Sequence, residues 1–227
     1  MRIWKVGGAV RDELLGVKPK DIDYAVEAES WEEMKNYISQ HGRIYLETPQ
    51  YFTIRAHIDN LGDADFVLCR KDGQYKDGRH PESVEVGTIM DDLARRDFTI
   101  NAMAKDAMTG ELLDPFNGQE DLQKRSISTV GNPFDRFNED ALRMLRAIRF
   151  AVTKDFRLGP QLFMGLTDDG LLNKLRYDIS IDRKRDELTK MFKYDTLRTL
   201  EYLEMFKKIR NILFEDRLLW LKPTNEE

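Results

Sequence analysis

Two aspartates separated by a single residue are the strongest candidates for chemistry in this 227-residue sequence. Asp21 and Asp23 lie in the segment DIDYAVE, whose alternation of polar and apolar residues predicts a half-buried strand. Because successive side chains of a strand point to opposite faces, both carboxylates should project from one polar face. Paired carboxylates can hold two Mg²⁺ ions about 3.5–4 Å apart, one activating a hydroxyl and the other stabilising a leaving pyrophosphate.

A third carboxylate favours this metal-binding interpretation over an ordinary solvated strand face, which a D-x-D pattern alone would indicate. Asp65 opens another predicted strand, DFVLCR, and a neighbouring strand could bring it beside the pair. Asp63 is the competing candidate on the same face.

A pair of glycines precedes the aspartates. Residues 2–6 predict a short buried strand, and Gly7 and Gly8 then break it before the helical stretch AVRDELLG. Backbone N–H groups at such a strand-to-helix turn can cradle a triphosphate, and Arg11 could add a phosphate contact. Taken singly, a glycine pair is more often only a turn, and Arg11 with Asp12 could be a surface pair.

The elements that must position these groups alternate between strands and helices. Ser30 followed by Glu33 is a capping-box pattern that begins a helix through about His41, which Gly42 should end. Further strands are predicted near residues 43–46, 52–58 and 65–69. A polar, glycine-containing segment over residues 70–87 predicts a mobile loop, and a helical pattern follows over residues 91–104.

The second part of the sequence predicts helices alone. Gly131-Asn132-Pro133 indicates a boundary, after which a helix over residues 139–152 carries an apolar stripe of Leu142, Leu145 and Ile148. A second stripe is formed by Leu197, Leu200, Leu203 and Phe206. The predicted class is α+β, with a mixed-sheet head over residues 1–130, an all-helical neck over 131–192 and an abbreviated helical body over 193–227.

Composition limits the setting and the class of protein. A single cysteine, Cys69, excludes an internal disulfide framework and favours a reducing cytoplasm. No apolar run approaches the roughly 20 residues that span a bilayer, so no membrane partner is expected. The net charge of −5 argues against a protein that coats nucleic acid. A local basic patch for RNA is nevertheless predicted, with Lys174, Arg176, Arg183 and Lys184 as its candidates.

Five motifs in order resemble those of the class II tRNA nucleotidyltransferases, or CCA-adding enzymes, and of the bacterial poly(A) polymerases. The first is VGGAVRDELLG followed by KDIDYAV, and the second is RRDFTINAM. DPFNG is similar to the third, a hinge between head and neck. EDALRMLRAIRF is similar to the fourth, E-D-x-x-R, and RKRDELTKMF to the fifth, where Arg185, Asp186 and Glu187 should brace the neck.

The resemblance implies a nucleotidyltransferase head of the polymerase beta-like type, with Mg²⁺ at a two-metal site formed by Asp21, Asp23 and Asp65. It also implies nucleotide contacts, for which the matching residues are Gly7, Gly8, Arg11, Arg96, Asp97, Asn101, Asp140 and Arg143. Asp77 and Arg79 belong to a segment that resembles the flexible loop of enzymes adding all of CCA.

The fourth motif has a physical basis for reading a base. On one helix, Asp140 and Arg143 at i and i+3 would share a face, where a carboxylate acceptor and a guanidinium donor can meet a Watson–Crick edge. Glu139, at i and i+4 to Arg143, could hold the guanidinium in place. An ordinary surface ion pair is the alternative.

The implied activity is template-independent addition of CMP and AMP to the 3′ end of tRNA, with CTP and ATP as substrates. The alternatives are a poly(A) polymerase, a partial A- or CC-adding enzyme, a transferase acting on a small molecule or protein, and a non-catalytic RNA-binding descendant. About 35 residues follow the fifth motif, so a short form lacking most of the body and tail is expected. A homo-oligomer or the basic neck could then compensate in gripping tRNA.

Overall fold

The computed structural model describes residues 1–73 and 84–214. These residues form two compact units, one containing residues 1–73 and 84–124 and the other residues 125–214. The division falls between Lys124 and Arg125, a few residues before the predicted end of the head. The further division of the helical part at residue 192 stays a prediction.

The first unit contains a mixture of strands and helices. In chain order these are β1 (Arg2–Val6), α1 (Gly8–Leu14), β2 (Asp23–Glu27), α2 (Trp31–His41), β3 (Gly42–Thr48), β4 (Thr53–Ile58), β5 (Gly62–Leu68), β6 (Arg70–Asp72), β7 (Val84–Val86), α3 (Ile89–Ala94), β8 (Ala104–Asp106), β9 (Leu112–Leu113) and α4 (Gly118–Lys124). Short 3₁₀ turns occupy Pro49–Tyr51 and Thr99–Asn101. The predicted strands and the helix after Ser30 are confirmed, with ends shifted by up to three residues.

Seven of these strands form one sheet in the order β3-β4-β5-β2-β1-β8-β9. β2 and β5 are parallel neighbours, whereas the other neighbouring pairs in this sheet are antiparallel. The sheet is therefore mixed, as predicted. The register of the parallel pair sets Asp23 opposite Asp65 and Tyr24 opposite Phe66.

The two faces of this sheet bury different residues. Tyr24 and Val26 join a core cluster that includes Met34 and Ile38 of α2, and Ile22 packs against it, so the predicted alternation is confirmed. Ala25 lies in a second cluster with Ile89 and Leu93 of α3. Asp23 and Ala25 share this second face because their side chains are two residues apart.

Three predictions for the first unit are wrong in detail. The strand begins at Asp23, so Asp21 lies in the bend before it. The helix predicted over residues 91–104 is α3, which begins at Ile89 behind a Thr88–Asp91 capping box and ends at Ala94. The loop predicted over residues 70–87 is the third case, since β6 and β7 at its two ends form an antiparallel pair. Arg70 lies opposite Val86, and backbone groups bond across this pair. The predicted loop residues Asp77 and Arg79 lie outside the described residues.

The second unit is mainly helical. Its elements are β10 (Ser126–Ile127), α5 (Pro133–Glu139), α6 (Leu142–Lys154), β11 (Arg157–Leu158), α7 (Pro160–Thr167), α8 (Asp169–Tyr177), α9 (Ile181–Tyr194), α10 (Thr196–Met205) and α11 (Lys207–Phe214). Side chains of Asn132, Asp168, Ser180 and Asp195 cap the N-termini of α5, α8, α9 and α10. Such caps satisfy backbone N–H groups that have no partner inside the helix.

The apolar stripes of the second unit are partly as predicted. Leu142, Leu145 and Ile148 are buried, which confirms the core face of α6. Leu203 is buried, but Leu197 and Leu200 are 75% and 51% exposed, so the stripe predicted near the end is wrong for these two.

The helix predicted over residues 139–152 is broken at Asp140. α5 ends at Glu139, and Asp140 adopts an extended conformation with φ of −150° and ψ of 104°. Its Oδ1 accepts a hydrogen bond from the Leu142 N–H at 3.0 Å. The side chain thus serves the start of α6, so the expected placement of Asp140 and Arg143 on one continuous helix is wrong.

Within residues 1–73 and 84–214, no helix is both long enough and apolar enough to cross a membrane. Cys69 is fully buried, as expected of a core residue, and burial raises the pKa of its thiol.

Gly42 provides a test of the sheet because it joins α2 directly to β3. An added Cβ would lie 1.9 Å from the His57 carbonyl oxygen of β4, and backbone cannot rotate away from it. We expect Gly42→Ala to lower the free energy of unfolding by about 1–3 kcal/mol, measured by urea denaturation. The control is Ser39→Ala on the exposed side of α2, which should change it by about 0.5 kcal/mol or less. Equal effects of the two substitutions would contradict this close approach.

Candidate active site

The carboxylates of Asp23 and Asp65 lie side by side on the parallel strands β2 and β5. Each stands on the face opposite to the Tyr24 and Phe66 rings, because side chains alternate along a strand. Arg55 of β4 is the next residue across the sheet, and its Nη1 lies 3.9 Å from Asp65 Oδ1. The structure therefore brings Asp65 to the predicted position beside Asp23.

These carboxylates open into a pocket of about 250 Å³. Strand residues, including Asp23, Asp65 and Val67, line one side of it, and Asp92, Arg95 and Arg96 from α3 and the turn after it line another. All of the lining residues belong to the first unit. The pocket thus combines carboxylates with guanidinium groups, which is a suitable environment for a metal-bound polyphosphate.

Burial and like charges together disfavour the ionised form of Asp23. Burial raises the pKa of its carboxyl, and the nearby carboxylates of Asp65 and Asp21 raise it further, whereas Arg96 acts in the opposite direction. A carboxyl whose ionised form is disfavoured by neighbouring carboxylates gains the most from a bound cation. Asp21 therefore acts electrostatically on Asp23, although it lies outside the strand.

Asp63, the alternative to Asp65, points to a different group of residues. Its Oδ1 accepts from the Tyr45 hydroxyl at 3.0 Å and lies 2.9 Å from His57 Nδ1. These bonds lower the pKa of Asp63, first through His57 and then through Tyr45. Asp65 is the residue opposite Asp23, so it is the better candidate for a third carboxylate.

Gly7 ends β1 beside Arg96. Its φ of 68° lies in the left-handed region, where glycine is favoured, and an added Cβ would lie 2.8 Å from Arg96 Nη1. Gly8 begins α1, and a Cβ there would lie 3.2 Å from Arg11 Nη2. The predicted glycine turn therefore brings main chain close to two guanidinium groups.

Arg11, Asn101 and Asp97, predicted as nucleotide contacts, form a buried hydrogen-bonded chain. Arg11 Nη1 donates to Asn101 Oδ1 at 2.6 Å, and Asn101 Nδ2 donates to Asp97 Oδ1 at 3.1 Å. The Phe98 N–H also donates to Asp97 Oδ1. The three residues are between 7% and 8% exposed, and these bonds hold α1 against the 3₁₀ turn. Arg11 also pairs with Asp12, to which its Nε donates at 2.9 Å.

Asp92 is a site residue that the sequence interpretation missed. It is 1% exposed, and it accepts from Arg95 Nη2 at 2.5 Å through Oδ1 and from Arg96 Nη2 at 2.8 Å through Oδ2. Burial alone would raise its pKa, but the guanidinium groups of Arg96 and Arg95 outweigh it and lower the pKa. The i,i+3 and i,i+4 spacing in DDLARR was the available signal.

The donor set fits a hard divalent cation only in part. Among the residues that the structure describes, no group of three or more His, Cys, Asp or Glu side chains is arranged to hold a metal ion. Mg²⁺ commonly binds through one or two carboxylates together with substrate phosphates and waters. Asp23 and Asp65 meet that requirement, since both are oxygen ligands at one point of the sheet.

The predicted base-reading residues of the second unit are held by partners within that unit. Arg183 Nη2 of α9 donates to Asp140 Oδ2 at 2.6 Å, and Arg143 Nη1 donates to Glu139 Oε2 at 2.6 Å. The predicted pairing of Glu139 with Arg143 is confirmed, although it joins α5 to α6 rather than two turns of one helix.

The predicted RNA-binding residues differ in accessibility. Lys184 is 5% exposed and its Nζ donates to the Arg176 carbonyl at 2.8 Å, so little of its side chain is accessible to RNA. Lys174 donates to the Asn138 carbonyl at 3.1 Å and is partly exposed, as are Arg176 and Arg183.

In the fifth motif, the bracing interpretation is borne out for Glu187. It is 3% exposed and accepts from Arg149 Nε, which joins α9 to α6.

The chain is similar to known proteins in sequence. A sequence profile described as the poly A polymerase head domain matches residues 3–128. The CCA-adding enzyme of Enterococcus faecalis is 38% identical over 196 residues, which are 82% of this chain and 44% of that protein.

Solved structures of other proteins are similar to the structure of this chain as well. The Bacillus stearothermophilus CCA-adding enzyme in complex with CTP has a TM-score of 0.77 and 30% identity, over 96% of this chain and 52% of that one. A tRNA nucleotidyltransferase complexed with a primer tRNA and an incoming ATP analog has a TM-score of 0.75 and 33% identity, over 94% of this chain and 59% of that one. The chain thus spans about half the length of the relatives it matches.

The charge of Asp92 can be tested through the pH dependence of stability. The pKa of this carboxyl is lowered in the folded protein, so its stabilising contribution is present above its unfolded pKa of about 4 and is lost as the pH falls through the folded pKa. We expect Asp92→Asn to lower the free energy of unfolding by about 2–4 kcal/mol near pH 7, since two guanidinium groups lose their counter-charge.

Urea denaturation of both proteins at several pH values measures this difference, which should narrow below about pH 4. The neighbouring Asp91→Asn, which affects only a helix cap, should lower stability by about 1 kcal/mol or less. A difference between wild type and Asp92→Asn that is constant with pH would show that Asp92 acts through shape and neutral hydrogen bonds.

Proposed function

Because the chain belongs to the poly A polymerase head-domain family, we propose that it is a template-independent nucleotidyltransferase that adds CMP and AMP to the 3′ end of tRNA. The proposed substrates are CTP and ATP, and the proposed acceptor is a tRNA lacking its CCA end. Support for the acceptor comes from the similarity to the CCA-adding enzyme of Enterococcus faecalis and to a nucleotidyltransferase bound to a primer tRNA.

One observation carries the chemistry: Asp23 lies opposite Asp65 on adjacent parallel strands, next to Arg96 in one pocket. Burial first, and then repulsion between these neighbouring carboxylates, raises the pKa of Asp23. A divalent cation relieves this repulsion, so the pair favours metal-dependent transfer over covalent catalysis by a side chain.

We propose Asp21, Asp23 and Asp65 as the groups that would hold Mg²⁺. The chemistry supplied by Mg²⁺ at these oxygens would be activation of the terminal 3′-hydroxyl and stabilisation of the departing pyrophosphate. The lone buried Cys69 takes no part in this proposal because its thiol has a raised pKa.

The triphosphate is proposed to bind on the β1 side of Asp23. There the Gly7 turn brings main chain within contact of Arg96, so peptide N–H groups and a guanidinium could orient the same phosphates. Asp92 holds Arg96 in that orientation through two hydrogen bonds. Arg11, Asn101 and Asp97 would then act by fixing α1 and the following turn around the nucleotide.

Base selection is proposed for Asp140 and Arg143 in the second unit. Carboxylate and guanidinium groups present acceptors and donors that can match the edge of cytosine or adenine. Glu139 holds Arg143, and Arg183 holds Asp140, so both groups are already oriented before a nucleotide binds. The proposal for Asp77 and Arg79, a loop needed for the change from CTP to ATP, rests on the sequence resemblance alone.

The activity is tested on a tRNA transcript that lacks its CCA end, with the 3′ ends sequenced after incubation with Mg²⁺ and nucleotides. We expect addition of two C residues with CTP alone and of CCA with CTP and ATP together. A tail of A alone would indicate a poly(A) polymerase, and a single A added only to a tRNA already ending in CC would indicate a partial enzyme. RNA binding without any addition would indicate a non-catalytic descendant.

Asp23→Asn tests the proposed metal site in this assay. It should abolish transfer because a metal ligand is lost, while the fold is retained. In metal-free buffer it should also raise the free energy of unfolding near pH 7, because the repulsion with Asp65 is removed. Wild-type transfer by a folded Asp23→Asn protein would refute the metal proposal.

Arg183 provides a further test because it holds Asp140. We expect Arg183→Ala and Asp140→Ala to relax the choice among CTP, ATP, UTP and GTP to a similar extent, by roughly tenfold, since a good bidentate base contact discriminates by about 1–3 kcal/mol. Incorporation of each nucleotide by variant and parent is compared at matched concentrations.

Arg185→Ala on the same helix is the control, because Arg185 pairs with the exposed Asp182 and should leave nucleotide choice unchanged. A uniform loss of rate with the parent's preference retained would make Asp140 and Arg183 a structural ion pair instead. Arg143→Ala, examined in the same way, independently tests the other residue proposed to read the base.

A further inference from the structure

We propose that the exposed face of β3, β4 and β5 beside Asp65 binds the single-stranded 3′ end of the acceptor RNA. Tyr45 is the ring on which a base stacks, and Arg43 and Arg55 contact the phosphates. This inference rests on the proposed function, because it names where the acceptor of that reaction approaches the carboxylates.

The order of the strands determines the side of approach. β2, which carries Asp23, lies between β1 and β5. In an in-line transfer, the attacking oxygen and the leaving pyrophosphate are on opposite sides of the α-phosphorus. If the triphosphate lies on the β1 side, over Gly7 and Arg96, the 3′-hydroxyl must arrive from the β5 side, where Asp65 and Arg55 lie.

The strands on that side present polar and aromatic side chains to solvent. Along β4, Ile54, Ala56 and Ile58 are buried, whereas Arg55 and His57 alternate with them and are exposed. Asp63 and Asp65 of β5 are paired with His57 and Arg55 in register. This exposed face is therefore continuous from the candidate catalytic carboxylates to the edge of the sheet.

A β-bulge aims Tyr45 outward at the edge of that face. The pairing of β3 with β4 shifts between Ile44 and Leu46, and Tyr45 falls at the shift. Tyr45 and Leu46 are 51% and 57% exposed, although strict alternation would turn one of them inward. Bulges commonly redirect a side chain in this way.

The Tyr45 ring is held in place by its neighbours. Its hydroxyl donates to Asp63 Oδ1 at 3.0 Å, and the Arg43 guanidinium lies 5.9 Å from the ring centroid. A ring that is already oriented loses little conformational freedom when a base stacks on it. Exposed aromatic rings combined with arginine are typical of surfaces that bind unpaired RNA bases.

Charge also favours RNA over another protein strand. Arg43 and Arg55 are exposed cations, and Arg55 stands 3.9 Å from Asp65, where the last phosphate of an acceptor would pass. β3 is an edge strand that could pair with a partner protein, but such pairing would use its backbone rather than the Tyr45 ring. Dependence on the ring therefore distinguishes RNA from a partner strand.

The experiment measures binding of a fluorescein-labelled tRNA transcript lacking CCA, by fluorescence anisotropy without nucleotides. We expect Tyr45→Ala to raise the Kd by about tenfold, which is within the range found when a stacking ring is removed. The KM for tRNA should rise similarly, while the KM for CTP stays unchanged. Arg43→Ala and Arg55→Ala should each raise the Kd and reduce its dependence on salt.

Two further variants separate stacking from other effects. Tyr45→Phe keeps the ring and loses only the hydrogen bond to Asp63, so its Kd should rise much less than that of Tyr45→Ala. Tyr194→Ala removes another exposed tyrosine, from the end of α9, and should bind like the parent. Parental binding by Tyr45→Ala, or an equal loss in Tyr45→Phe, would overturn the proposal.

The binding assay does not depend on catalysis, so the two proposals can fail separately. RNA binding that needs Tyr45, in a protein that transfers no nucleotide, would overturn the proposed function alone. Transfer to tRNA that is indifferent to Tyr45 would overturn this inference alone. Failure of the parent protein to bind the transcript would also overturn this inference, and the transfer assay would then decide the proposed function by itself.

Discussion

The pairing of β2 with β5 is the constraint on which the proposed chemistry of the first unit depends. It sets Asp23 beside Asp65 and, one position further, Tyr24 beside Phe66, whose rings stack with centroids 5.2 Å apart. A slip of one residue in either strand would exchange these pairs between the two faces, burying carboxylates against α2.

The interaction energy of the Asp23–Asp65 pair is unfavourable, whereas that of the Tyr24–Phe66 pair is favourable. Two unit charges about 4 Å apart repel by roughly 1 kcal/mol in water and by about 4 kcal/mol in partly desolvated surroundings. Burial of a large apolar side chain contributes about 1.5–3 kcal/mol, and Tyr24, Val26, Phe66 and Leu68 are all buried on the opposite face. Burial of the apolar face therefore outweighs the repulsion between the two carboxylates. The sheet can hold them side by side although their interaction alone is unfavourable.

The pocket beside these carboxylates has a charge balance that calls for a cation. Arg95 and Arg96 contribute two positive charges, while Asp92, Asp23 and Asp65 contribute three negative charges when ionised. A triphosphate entering alone would add charge of the sign already in excess. Asp92 is buried between Arg95 and Arg96 and pairs with both, so it orients their guanidinium groups. Its negative charge also offsets the repulsion between these two positive charges. Metal and nucleotide are thus expected to bind as one unit.

Much of the fold followed from local pattern, whereas the site depended on contacts that local pattern does not contain. The alternation of Ile22, Tyr24 and Val26 predicted β2 because burial has the period of a strand. Local pattern does not contain the pairing of β2 with β5, since it joins residues far apart in sequence, and only the search for a third carboxylate suggested this neighbour. Asp92 was overlooked because DDLARR is also typical of a solvated helix surface, and only its burial distinguishes the two cases.

The helix break at Asp140 shows the same limit for the second unit. The apolar spacing of Leu142, Leu145 and Ile148 predicted α6 correctly, but it contains no information on whether the preceding residues continue the helix. One oxygen of Asp140 accepts from the Leu142 N–H at the start of that helix, and the other accepts from Arg183. A short polar side chain can compete with helical backbone bonding in this way, so aspartate is frequent at helix starts.

An acidic chain for which action on RNA is proposed must rely on oriented contacts. The sequence has 36 Lys and Arg residues against 41 Asp and Glu residues. Several arginines among the described residues are engaged by carboxylates, as Arg96 is by Asp92 and Arg183 by Asp140. Such pairs fix the direction of each guanidinium but cancel its long-range attraction for phosphate. Binding of an acceptor should therefore depend on a few exposed groups such as Tyr45 and Arg55, and on the shape of the surface between them, more than on neutralising many phosphates.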